Sequence, residues 1–271
     1  MNTTPKILIL SYYWPPSGGS GVQRWMYFAK YLKQLGYEPI VVTVAESQAS
    51  YPVLDPSLIQ EVEGIRVIKT ATREPLRWYS RLTSGDSKKG IPQGEIQTTS
   101  IFGKIAAYIR GNFFIPDARK GWVPFAVKAA QAVLKQEKIH CLITTGPPHS
   151  THLAGLQLAK QFQLNWWVDF RDPWLDVFYN KQLHRSQSSQ AKDAALEKTV
   201  LHYASGVITT TGGNLHQSLL QKAPDQTFVA LPNGYDAELM QQTPAAPKKD
   251  GFHIVYTGLL TQNQGYSKLV E

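Results

Sequence analysis

The sequence predicts an α/β fold, a parallel sheet flanked by helices, and three observations carry that expectation. Lys6-Ile-Leu-Ile-Leu runs as a near-continuous apolar stretch, the pattern of a strand covered on both faces. It leads through a glycine-rich turn, Gly18-Gly-Ser-Gly21, into apolar residues at helical spacing. The same strand–helix–strand rhythm then repeats, which is the βαβ signature.

The elements follow in order. Lys6 to Tyr12 reads as the first strand. Val22, Trp25, Met26, Ala29, Leu32 and Leu35 recur as one face of a helix that Gly36 closes as a C-cap. Pro39 to Val44 is the second strand, Ser57 is expected to cap a short helix, and Gly64 to Lys69 reads as the third strand. Residues 72–100 break the rhythm with Ser, Thr, Gly and Lys, and read as a flexible surface insertion beside a substrate cleft. Helices are expected over Ile101–Ile109 and Val123–Lys135. The strand Cys141–Thr145 is followed by a helix through Gln161. Trp166–Phe170 is a strand, Ala191–Tyr203 a helix, Val207–Thr211 a strand, Asn214–Gln221 a helix and Thr227–Leu231 a last strand. The alternation is Rossmann-like. It places a main domain at 1–240, a Pro/Ala-rich linker at 241–250 and, at 251–271, the first strand of a second domain read as cut short.

Bulk composition sets limits. A chain of 271 residues with 42% apolar and 18% charged side chains is globular in type. A net charge of +8 favours anionic partners: nucleotides, lipid headgroups or nucleic acid. No nucleic-acid signature accompanies it, so nucleic acid is set aside. Cys141 is the single cysteine and reads as a small core residue. Neither a signal peptide nor a membrane-length apolar run is read, so a cytoplasmic location is expected, extended to a peripheral one at the inner face of the cell membrane.

Four stretches carry candidate chemistry. Gly18, Gly19, Ser20 and Gly21 lie at a strand end and a helix start, where backbone N–H groups and the helix dipole attract anions. The spacing is not G-x-G-x-x-G and no Walker lysine follows, so a plain tight turn and a phosphate or sugar site both stay open. In Thr144-Thr-Gly-Pro-Pro-His-Ser-Thr-His152, His149 is a candidate hydrogen-bond donor or weak acid; helix capping is the alternative. No ligand at metal spacing joins the two histidines, so no metal is expected. Asp169-Phe-Arg-Asp-Pro-Trp174 puts charge beside bulky apolar residues at another strand end. There Arg171 suits a phosphate or carboxylate, and Asp169 or Asp172 a sugar hydroxyl; a loop-bracing ion pair is the bland reading. Finally, Phe113-Phe-Ile-Pro-Asp-Ala-Arg-Lys-Gly-Trp, with Arg110, Arg119 and Lys120 among aromatics, suits either an anionic lipid surface or ordinary helix–loop–helix packing.

Taken together, the start (Ser11-Tyr-Tyr-Trp-Pro-Pro-Ser-Gly-Gly-Ser-Gly-Val-Gln-Arg24), Gly146-Pro-Pro-His-Ser-Thr-His, Asp169-Phe-Arg-Asp-Pro-Trp and Leu231-Pro-Asn-Gly-Tyr-Asp resemble the amino-terminal domain of a GT-B glycosyltransferase of the broad family 4 type. The likeness covers nearly all the chain outside 72–100. It implies a retaining hexosyltransferase that moves a sugar from a UDP- or GDP-linked donor to a saccharide or lipid-linked acceptor, as in bacterial surface polysaccharide biosynthesis, with no cofactor beyond the donor. It implies His149 and Asp169 as catalytic candidates, and Gly18, Gly19, Ser20, Gly21, Arg24, Arg171, Asp172 and Asn233 as substrate contacts. The family's histidine at the strand end is replaced here by Thr144 and Thr145. The glutamates and basic pair that hold the donor in the family would follow Gly258, so the chain alone is expected to be inactive or weakly active. A non-catalytic sugar- or nucleotide-binding module on the same fold is the alternative.

Overall fold

The computed structural model describes residues 4–49, 51, 53–74, 101–177, 180, 183–242, 251 and 255. The insertion expected over 72–100 lies outside them from residue 75 onward, as do most of 241–250 and 251–271. The chain divides into two units, Met1–Gly234 and Tyr235–Glu271.

The first unit holds one seven-stranded sheet in the order β3-β2-β1-β4-β5-β6-β7, with every pairing parallel. Its strands are β1 (Lys6–Leu10), β2 (Glu38–Val44), β3 (Arg66–Thr70), β4 (Cys141–Gly146), β5 (Trp166–Phe170), β6 (Gly206–Thr209) and β7 (Phe228–Ala230). Between them run α1 (Ser20–Gln34), α2 (Leu58–Glu61), α3 (Ile101–Phe113), α4 (Val123–Gln136), α5 (Ser150–Phe162), α6 (Gln187–Tyr203) and α7 (Asn214–Lys222). In the second unit the described helix is α8 (Ala237–Gln242).

Strand β1 sits between β2 and β4, Leu8 pairing with Ile40 on one side and Leu142 on the other. Its alternate residues belong to two apolar cores. Leu8 and Leu10 join Trp122, Ala126, Ala154 and Leu158, whereas Ile7 and Ile9 join Trp25, Ala29 and Ile143. Both faces of β1 are therefore dry, which accounts for its unbroken apolar run. The sheet order reverses direction between β1 and β4. That topological switch point is where open parallel sheets leave a crevice beyond the strand carboxyl ends.

Several boundaries differ from expectation for local reasons. Gly36 does end α1, with φ +85° and its N–H on the Lys33 carbonyl. Ser57 is not a cap: it is itself helical and makes no capping bond. Asp55 does that work, accepting from both the Ser57 N–H and hydroxyl. Helix α6 starts at Gln187, four residues before the expected Ala191, because Ser186 caps it by accepting from the Ser189 N–H at 3.2 Å. Its polar opening, Gln187-Ser-Ser-Gln, hides that start from an apolar-period search. Helix α5 is capped from outside: half-buried Asp117 accepts from the Ser150 N–H at 2.7 Å and the Ser150 hydroxyl at 2.8 Å. Burial pushes the Asp117 carboxyl upward while these bonds pull it back.

Candidate functional site

Residues following β1, β4, β5, β6 and β7 line one cleft of about 380 Å³. From β1 comes the glycine turn. Gly19 has φ +99°, a conformation open to glycine and costly for other residues. Gly18 donates its N–H to Val53 at 2.9 Å, and a Cβ on it would meet Asp55 and Val53 at 3.1 Å, so that wall is packed. The turn delivers the first N–H groups of α1 to the cleft edge, and that first turn carries no acidic side chain.

From β5 and the residues after it come the charges. Arg171 spends three of its five N–H donors on backbone carbonyls: Nε on Gly146 at 3.1 Å, Nη1 on Gly21 and Nη2 on Pro147. It thus ties the start of α1 to the turn after β4. Among the described residues Arg171 makes no ion pair, although Asp169 and Asp172 lie near enough to raise its pKa. Burial outweighs them and lowers it from the ordinary value. Gly21 is small because it must be: a Cβ there would sit 2.2 Å from Arg171 Nη1.

Arg24 and Asp169 form the buried counterpart, with side chains 1% and 0% exposed. Asp169 accepts from Arg24 Nη2 at 2.9 Å and Nε at 3.2 Å, from Trp25 Nε1 at 2.6 Å and from Thr145 Oγ1 at 2.8 Å. Those bonds occupy the oxygens of the carboxylate. Arg24 Nη1 donates to Asn233 Oδ1 at 2.9 Å, fastening the segment after β7 to α1, and its guanidinium lies 4.8 Å from the centre of the Phe28 ring.

Of the residues expected at the site, Gly18, Gly19, Gly21, Arg24, Arg171, Asp172 and Asn233 line this cleft. Ser20 opens α1, but its side chain lies outside the described set. His149 and Asp169, expected as catalytic, are not among the residues lining this cleft, and both are buried. Asp169 lies beneath the cleft as the anchor of Arg24. His149 is buried, stacked on Trp174 at 5.2 Å and on Phe170 at 5.7 Å, with Nε2 donating to the Pro173 carbonyl at 3.2 Å. Burial pushes its pKa down to about 3, so the ring is neutral near pH 7 and is no acid there. His152 is lowered for the same reason, with its Nδ1 on Thr144 Oγ1 at 2.9 Å. His149 Nδ1 and His152 Nε2 have no partner, and both converge on Gly146, where a Cβ would lie 2.8 and 2.7 Å from them. Among the described residues, no group of three or more His, Cys, Asp or Glu side chains converges on a point.

Sequence reasoning missed Trp25 and Thr145 as partners of Asp169, and Tyr13 and Thr210 on the cleft wall. Tyr13 and Thr210 each follow a strand end, a position that would have nominated them. For Trp25, 144 residues from Asp169, no local signal exists.

No family model matches the chain, and no curated protein matches it. Solved structures align at low identity. A sucrose-phosphate synthase structure from Thermosynechococcus elongatus gives 14% identity and a TM-score of 0.45, over 87% of this chain and 92% of that one. Anabaena HepE in complex with UDP and glucose gives 14% and 0.48, over 87% of this chain and 46% of that one. A ugt transferase from Siraitia grosvenorii in complex with UDP gives 11% and 0.42, over 84% and 50%. The chain thus spans about half the length of the latter two proteins. Likeness at this level carries no assignment of activity.

Proposed function

We propose that the chain is the acceptor-side, Rossmann-like part of a GT-B glycosyltransferase and binds the diphosphate of a UDP- or GDP-linked sugar in the cleft at the switch point. One observation carries the reading: the glycine turn, the α1 N–H groups and an Arg171 guanidinium that makes no ion pair among the described residues meet at a single crevice. Two N–H donors of Arg171 remain beyond its three carbonyl bonds, and the α1 dipole adds to its charge. Such an edge favours an anion, most of all the charge that grows on a departing nucleoside diphosphate.

In the retaining transfer implied by the resemblance, the bond from the sugar carbon to the diphosphate oxygen breaks. A bond to the acceptor hydroxyl oxygen forms on the same face, and the acceptor proton passes to a phosphate oxygen. This chain's contribution is to orient and stabilise: Arg171 and the glycine turn hold charge, Asp172 accepts from a sugar hydroxyl, and Asp169 positions Arg24. Isothermal titration with UDP, GDP, UDP- and GDP-sugars and NAD tests it. Uridine or guanosine diphosphates are expected to bind, salt-sensitively. Arg171→Met should weaken them roughly ten- to hundredfold, and Arg171→Lys less. Absence of any nucleotide binding, or a preference for NAD, would sink the proposal.

A second reading, a binding module without chemistry, is favoured by one specific fact: both expected catalytic side chains are buried and engaged. The two part on turnover. Sugar release or transfer from a bound donor supports the transferase, and tight binding with none supports the module.

A further inference from the structure

Helix α3 presents the wrong face to the protein. Ala107 and Gly111 are buried, and Gly111 lies so close to its neighbours that a Cβ would meet the Leu183 carbonyl at 2.6 Å. Asn112 and the Gly111 carbonyl fix that contact, bonding to His184 and Arg185. Its described large apolar residues look outward: Ile105 is 51% exposed, Tyr108 49%, Ile109 41% and Phe113 66%. At about 100° per residue these four fall within an arc of roughly 140° on the side away from Ala107 and Gly111. A helix serving only the core would carry the reverse pattern.

We infer that this face of α3 is a docking surface for an anionic lipid bilayer. It lies on a different helix from the residues lining the cleft, and the inference does not depend on how the cleft is read. Charge selects the occupant. Exposed Lys104 flanks the stripe, and exposed Lys120 closes its far end, its Nζ 3.4 Å from the Phe113 carbonyl. Residues 101–113 include no acidic side chain, and Asp117 just beyond is turned inward onto Ser150. Apolar residues bordered by lysines, with a tyrosine among them, are the composition of a helix that rests in the headgroup region. Size argues against a second copy. With side chains of about 200 Å² the four expose on the order of 400 Å², half of the roughly 800 Å² per partner that stable protein interfaces use. The surface also differs from the sequence-based expectation: Arg119, placed there by pattern, is buried on Glu74, whereas Ile105, Tyr108 and Ile109 were not singled out.

The test is co-sedimentation of the 271-residue chain with vesicles of phosphatidylcholine alone and of phosphatidylcholine with phosphatidylglycerol. The expected result is partition onto the anionic vesicles at low salt, reduced at least about tenfold by Ile109→Ser with Phe113→Ser and weakened by Lys104→Glu. Because all three side chains are exposed, thermal melts of the variants should match the parent and separate lost docking from lost folding. Failure to bind anionic vesicles, or undiminished binding of the Ile109/Phe113 variant, overturns the inference. So does a solution dimer, seen by light scattering, that the same substitutions abolish, because the face then belongs to a second copy.

Discussion

Replacing Asp169 by Asn tests whether the cleft rests on a buried charge pair. The carboxylate takes donors from Arg24, Trp25 and Thr145, and neither its side chain nor that of Arg24 is more than 1% exposed. An amide has one oxygen to offer. With that oxygen toward Arg24, its NH₂ faces the Trp25 indole N–H; flipped, it faces the guanidinium. Either way donor meets donor, at about 1–3 kcal/mol for the unsatisfied group, and a buried guanidinium loses its counter-charge. Breaking such a pair from one side costs about 3–5 kcal/mol, a large share of the about 5–15 kcal/mol that holds a typical domain. At roughly 2–4 °C per kcal/mol the melting temperature should drop by about 6–20 °C. Urea unfolding followed by circular dichroism measures the loss, and Arg24→Met, alone and combined with Asp169→Asn, closes a double-mutant cycle. A coupling of about 2 kcal/mol or more is expected. A loss under about 1 kcal/mol, or additive single variants, would refute the reasoning.

Three further outcomes are expected. Because burial lowers His149 to about 3 and moves His152 the same way, the unfolded chain takes up protons below about pH 6.5 that the folded chain refuses. Stability is then whole above that value and falls as pH drops, by about 1.4 kcal/mol per unit toward pH 3 for His149, with His152 adding to the loss; urea midpoints that stay level from pH 7 to 5 would contradict this. Gly146→Ala drives a methyl against both imidazoles, which are stacked among Phe170 and Trp174 and have little room to yield. A loss of about 1–3 kcal/mol is expected, and an unchanged melt counts against the convergence of the two rings. Burial pushes the Cys141 thiol up to about 12, so Ellman's reagent at pH 8 should label it slowly in the native chain and fully in urea; fast native labelling would show the site to be open.

The parallel sheet and the place of its crevice were readable locally. Lys6–Leu10 is apolar at every position but the first, the glycine turn follows it, and α1 shows its period within fifteen residues. These are signals of near neighbours, and they suffice because strand and helix formation are largely decided over such distances. Ser186 as a cap and Asp55 in place of Ser57 were harder, since several adjacent polar residues competed for one role. The site divided differently. Three glycines and Arg171 line the cleft, and their position at strand ends pointed there, because topology alone puts strand ends at a crevice. His149 and Asp169 sat in equally polar motifs and looked equally available. Phe170 and Trp174 close over the histidine, and Arg24, 145 residues away, claims the aspartate. Chain pattern announces that a polar residue stands at a strand end. Whether it meets ligand or is consumed by its own fold depends on burial and on partners brought from far along the chain, and those exist only once the sheet has assembled.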